Sequence, residues 1–134
     1  MNIEKIKAKI NESDAFENLI GMEFLSTPDP DTCMAKMHVD KRNMQPFGYL
    51  SGGAILALAE TLAGVGSSSL CPGDIVVGMN VQANHVHSTK EGDTITAIGT
   101  IIHQGRQTHV WNITVTNEAS QLVSSISVTN FVKS

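Results

Sequence analysis

The chain has 134 residues, of which 41% are hydrophobic and 16% charged, and 9 Lys+Arg against 13 Asp+Glu leave a net charge of −4. That length holds one domain with one core, and the acidic balance argues against a nucleic-acid partner. Charged residues fall below the usual share of about a quarter, which points to surface covered by self-association. At the start, Ile3, Ile6, Ile10, Phe16 and Leu19 recur in the pattern of a short amphipathic helix, broken near residues 11–14, where Ser13 or Asp14 would cap a second turn. Charge in every turn leaves no apolar segment of a signal peptide. A first strand begins at Glu23, and Pro28 to Asp31 form a turn that cannot continue a ladder. Residues 32–39 alternate Cys33, Ala35, Met37 and Val39 with Met34, Lys36 and His38, the period of a half-buried strand. Residues 40–50 follow as a loop rich in Asn, Pro and Gly.

Gly52 and Gly53 open a run of small and apolar residues that predicts a helix over 51–65, with Glu60 its one charge. A helix apolar on all sides is normally buried, and a carboxylate is rarely buried without a partner or a purpose. The longest uncharged apolar stretch, 54–59, is far short of the roughly 20 residues of a membrane span, so a soluble, cytoplasmic protein with no membrane partner is expected. The serines at 67–69 and the segment 71–74 end the helix. Residues 75–88 then place Ile75, Val77, Met79, Val81, Ala83, His85 and His87 on one strand face, with Asn80, Gln82 and Asn84 on the other. A turn at 90–93 leads to strands at 94–103, 107–116 and 121–132, rich in Thr, Val and Ile. Cys33 and Cys71 lack framework spacing and read as reduced, buried thiols. Trp111 and Phe131 read as core or interface. The order of helix, two strands, buried helix and four strands predicts an α+β fold, an antiparallel sheet of about six strands wrapped around one apolar helix.

A helix N-terminus leaves backbone N–H groups open and carries positive dipole charge. With Gly52 and Gly53 leaving that backbone unshielded, it suits an oxyanion or a polarised carbonyl. Gln45 adds a neutral donor from the loop. Glu60 lies eight residues beyond Gly52, roughly 12 Å along the axis, too far for one carbonyl to touch both. Two such helices packed antiparallel across a dimer axis would bring each donor end to the other copy's carboxylate. Taken singly, Gly52 and Gly53 fit a plain helix start with Ser51 as N-cap, and Glu60 fits a structural ion pair. The combination is more specific than its parts.

The segment 45–64, with Gln45-Pro46-Phe47-Gly48, then Gly52-Gly53, then Glu60, resembles the active-site motif of hot-dog-fold acyl-CoA thioesterases. The branch is that of the phenylacetate-degradation (PaaI) and Arthrobacter-type 4-hydroxybenzoyl-CoA enzymes. It is also similar to the proofreading and 1,4-dihydroxy-2-naphthoyl-CoA thioesterases. The likeness extends to Glu91-Gly92 and Gly105-Arg106 and is weakest before residue 20. It implies a single hot-dog domain over 1–134 that hydrolyses an acyl-CoA or aroyl-CoA thioester to free acid and coenzyme A. Gly52 would donate to the thioester carbonyl with help from Gln45. Glu60 of the opposite subunit would act as nucleophile or general base, in a homodimer or homotetramer. Ser51, Gly53 and His85 would border the substrate, Phe47 and Tyr49 would line the acyl or aryl pocket, and Lys90 and Arg106 would meet the phosphates of coenzyme A. No cofactor and no metal is implied beyond that coenzyme A. His85 and His87 have a chelating spacing, but no Cys, Asp or Glu nearby completes a set. His38, His103 and His109 read as surface or satisfied sheet residues. The chain departs from the family at Ser51, where a His is common, and at Gly64, where Ser or Thr is common. A hot-dog hydratase, which needs a catalytic His, and a non-catalytic acyl-CoA-binding module are the rival readings.

Overall fold

Strict alternation of side chains builds the sheet. β1 (Met22–Leu25) and β2 (Thr32–His38) pair antiparallel, and β2 turns Cys33, Ala35 and Met37 inward as its pattern predicts. Beyond the central helix α3 (Gly52–Leu70) come β3 (Ile75–His85), β4 (Thr94–Gln104), β5 (Thr108–Thr116) and β6 (Leu122–Lys133). The six strands form one antiparallel sheet in the order β1-β2-β4-β5-β6-β3. Helix α1 (Glu4–Asn11) and the single turn α2 (Phe16–Leu19) precede it. The computed structural model describes residues 1–12 and 15–134, so the expected cap at Ser13 or Asp14 lies outside the described residues. The arrangement is the hot-dog wrap of sheet around helix.

Leu58, Ala59, Leu62 and Ala63 of α3 are fully buried in one cluster with Ala97, Trp111, Val115 and Val128. The helix runs five residues past the expected end because its serines are held internally. Ser67 is fully buried, and its Oγ accepts hydrogen bonds from Trp111 Nε1 at 2.9 Å and Asn130 Nδ2 at 3.1 Å. With both lone pairs taken, the hydroxyl donates to His109 Nδ1 at 2.8 Å, which makes His109 the Nε2–H tautomer. Ser69 Oγ donates back to the Val65 carbonyl at 2.9 Å. By length and composition α3 could cross a membrane, yet 44% of that span is buried within the fold.

Four expectations are corrected. The inward face of β3 changes sides at a bulge between Gly78 and Asn80. Val76 and Gly78 face inward before it, and Val81, Ala83 and His85 after it, while Ile75, Val77 and Met79 are 61%, 49% and 58% exposed. The sheet encloses only one side of α3, so Glu60 is exposed along a stripe with Gly53 and the half-buried Ala57, Gly64 and Ser68. Phe16 and Leu19 do not continue the partly buried stripe of Ile6 and Ile10 on α1; they are 56% and 64% exposed. Of the thiols, Cys33 is buried and pushed up to about 12 by desolvation, whereas Cys71 is only half-buried.

Trp111 lies against two glycines. A Cβ at Gly66 would stand 2.6 Å from the indole Cη2, and one at Gly99 would meet Cys33 Sγ at 2.9 Å. Gly66→Ala forces the rigid ring to move and is expected to lower stability by about 1–3 kcal/mol, read by urea unfolding. Burial, and then the charge of His103, lower the pKa of His109 below its ordinary value of 6.5. Unfolded His109 therefore takes up a proton that the folded chain resists, because a third donor has no place at the Ser67 hydroxyl. Stability from this group is complete above about pH 6.5 and lost as the pH falls below it. Urea midpoints should drop between pH 7.5 and 5.5, and His109→Asn should flatten that dependence.

Candidate active site

The loop before α3 is held by a residue the sequence reading passed over. Asn43, 4% exposed, donates from Nδ2 to the Ile20 and His38 carbonyls at 3.0 and 2.9 Å, and its Oδ1 accepts from the Asp40 N–H. Its own carbonyl accepts the Ser51 N–H at 2.8 Å, fixing the residue from which α3 departs. Beyond it the chain doubles back: Gln45 N–H donates to the Tyr49 carbonyl at 2.8 Å, and Gly48 at φ 95° makes the bend that glycine allows. The Gln45 side-chain oxygen accepts from the Phe47 and Tyr49 N–H groups. That engagement leaves the amide nitrogen as the free donor.

Ser51 occupies the N-cap position, but its side chain makes no capping bond. Its carbonyl takes the Ala54 and Ile55 N–H groups at 3.1 and 3.2 Å. The N–H groups of Gly52 and Gly53 are thus the open donors of α3 among the described residues. The His85 ring lies over this end, with Cδ2 and Nε2 each 3.1 Å from where a Cβ of Gly52 would stand. Ser124 Oγ donates to the Asn84 carbonyl at 3.2 Å and so accepts from His85 Nδ1 at 2.9 Å. In that tautomer Nε2 of His85 is an acceptor facing Gly52. Neither α3 nor its preceding loop carries a His; β3 brings one.

Gln45, Tyr49, Gly52 and His85 share one pocket of about 390 Å³, bounded also by His87 and Thr89. Thr89 is 3% exposed, and its hydroxyl has no partner among the described residues. Glu60 is elsewhere. It lines a second pocket of about 510 Å³ on the open side of α3. Its carboxylate rests on Gly78, where a Cβ would run into Oε1. A glycine inside a strand marks such a close approach, and that signal was available in the sequence. Glu60 has no basic partner, since among the described residues the one ion pair joins Arg42 to Asp40 at 2.7 Å. The Arg42 guanidinium holds the Asp40 carboxyl down at about 2.

The other expected residues scatter. Ser51 and Gly53 sit beside the donor end without lining its pocket, and Phe47 is 84% exposed. Lys90 pairs through its backbone with Tyr49 near the pocket mouth. Arg106 lies in the β4–β5 turn, at the end of the sheet opposite His85. His38 bonds Thr94 Oγ1 at 3.0 Å at the surface, and His109 is the satisfied sheet residue described above.

Residues 47–124 match the thioesterase superfamily. The chain belongs to that family. A 1,4-dihydroxy-2-naphthoyl-CoA hydrolase of Listeria monocytogenes is 37% identical over 108 residues, which are 80% of this chain and 86% of that one. The thioesterase PA1618 from Pseudomonas aeruginosa superposes with a TM-score of 0.89 at 33% identity, covering 99% of this chain and 94% of that one. The protein smu.793 from Streptococcus mutans, solved bound to acetyl CoA, superposes with a TM-score of 0.77 at 29% identity, covering 91% and 94%. Within this thioesterase fold Gly78→Ala should displace the flexible end of Glu60 while leaving the strand intact. Thioester hydrolysis is expected to fall by about tenfold to a hundredfold with an unchanged melting curve.

Proposed function

We propose that this thioesterase hydrolyses an acyl-CoA or aroyl-CoA thioester at a site shared by two copies of the chain. One observation carries the reading: the donors and the carboxylate occupy different pockets, and Glu60 stands on an uncovered helix face. Antiparallel packing of two α3 helices along the small residues Gly53, Ala57 and Gly64 would bring the Gly52 end of one copy to Glu60 of the other. The thioester carbonyl would then be polarised by the Gly52 N–H, the helix dipole and the Gln45 amide. Glu60 would attack the carbon or remove a proton from water, and the thiolate of coenzyme A would leave. The chemistry needs no cofactor beyond the coenzyme A of the substrate. Binding of acetyl CoA by the Streptococcus relative, the hydrolase name of the Listeria relative and the neutral carbonyl-binding geometry support this substrate class. The reading carries with it a homodimer or homotetramer and a cytoplasmic location, where the unpaired Cys33 and Cys71 stay reduced.

Glu60→Ala should lower thiol release from a panel of aroyl- and medium-chain acyl-CoAs by about 10²–10⁴-fold. Retained activity would overturn the role of Glu60, and acyl-CoA binding without release by the wild type would favour the binding module. Mixing Glu60→Ala with Gly52→Val, whose side chain meets the His85 ring, should restore about a quarter of wild-type activity through hybrid dimers with one intact site. A self-contained site within one chain would show no recovery.

A further inference from the structure

We propose that Ser68 and Ile6 flank a gap through which a long acyl chain leaves the Glu60 chamber, so that straight chains of more than about ten carbons are accepted. The proposal rests on the thioesterase reading and takes the Glu60 chamber as the place where the acyl group lies. Bringing Gly52 of one copy beside Glu60 of the other overlaps the two α3 helices between residues 52 and 60. Ser68 then lies beyond the partner's helix. Lys90, near the mouth of the donor pocket, suits the phosphates of coenzyme A at that end, which leaves the open face of α3 past Glu60 to the acyl group.

Two clefts follow one another along this face. The first, of about 510 Å³, holds Glu60 and takes apolar walls from Ile6, Ile10, Phe16, Val65 and Val76. The second, of about 590 Å³, lies between α1 and the C-terminal end of α3 and is bordered by Lys5, Lys9, Pro72 and Asp74. Among the described residues, Ile6 and Ser68 border both. The path from Glu60 to Ser68 is clear: Gly64 has no side chain, and a Cβ there would meet nothing within 4 Å. Eight residues of helix rise separate Glu60 from Ser68, roughly 12 Å. An extended chain covers that distance in about nine or ten carbons. An aroyl group ends well inside the first chamber. A longer chain has to pass residue 68, and a serine is small enough to let it. Beyond the gap, Pro72 and the methylene stems of Lys5 and Lys9 offer the tail apolar surface.

The test measures kcat/KM for the straight-chain series from hexanoyl-CoA to tetradecanoyl-CoA, each below its micelle concentration. Wild type should hydrolyse tetradecanoyl-CoA within about tenfold of decanoyl-CoA. Ser68→Leu should lower the dodecanoyl and tetradecanoyl values by about tenfold or more relative to hexanoyl-CoA. Ser68→Ala, which keeps the gap open, should keep the wild-type profile. Ile6→Phe narrows the same gap from α1 and should shorten the profile as Ser68→Leu does, which keeps the test decisive if one variant fails to fold. A wild-type fall of more than about tenfold from decanoyl-CoA to tetradecanoyl-CoA would overturn the gap, and so would a wild-type profile in either folded narrowing variant. Absence of thiol release from every thioester by wild type, benzoyl-CoA included, would instead overturn the thioesterase reading, and this inference with it.

Discussion

One hydroxyl holds the central helix to the sheet. Ser67 Oγ joins α3 to Trp111 and His109 on β5 and to Asn130 on β6, all in the dry interior. Hydrogen bonds made away from water are directional and strongly penalise misplacement, so this hub sets both the rotation and the axial position of α3. Trp111 can reach the hub because Gly66 and Gly99 give its ring room. The whole candidate site depends on that seating. The rotation turns Leu58 and Leu62 into the sheet and Glu60 out of it, and the axial position sets Gly52 beneath His85.

From there the chemistry separates along the helix. At the N-terminal end, the uncapped N–H groups and the Gln45 amide make a donor-bearing pocket suited to a polarised carbonyl, with the His85 ring lying over it. Halfway along, a carboxylate lies on the glycine of a bulged strand. A helix cannot fold back on itself, so one carbonyl reaches both only if two helices meet. The exposed Glu60 and the small residues around it are what such a meeting needs.

The N-terminal helices give the carboxylate pocket its character. α1 and α2 bring Ile6, Ile10 and Phe16 against the open side of α3, converting a bare helix face into a chamber. A chamber built by such a peripheral segment can change its acyl preference without touching the sheet or the donor end.

Most of the fold was legible in the residues. Period-two alternation marked β2, the glycine pair and apolar run marked α3, and the turn residues separated β4, β5 and β6. The Gln45, Gly52 and Glu60 spacing carried the resemblance to the family. The end of α3 was not legible, because serines read as helix breakers until a buried Trp, His and Asn bond one of them. The inward face of β3 was not legible either, since a bulge adds a residue that no alternation pattern reveals. Local periodicity and motif spacing therefore determined which elements form and which residues make the candidate site. Only the tertiary structure decided that the sheet covers one side of α3, that His85 comes over Gly52, and that Ile6 shares a pocket with Glu60. Those outcomes depend on contacts between residues far apart in the chain, and the close packing that selects them has no local signature.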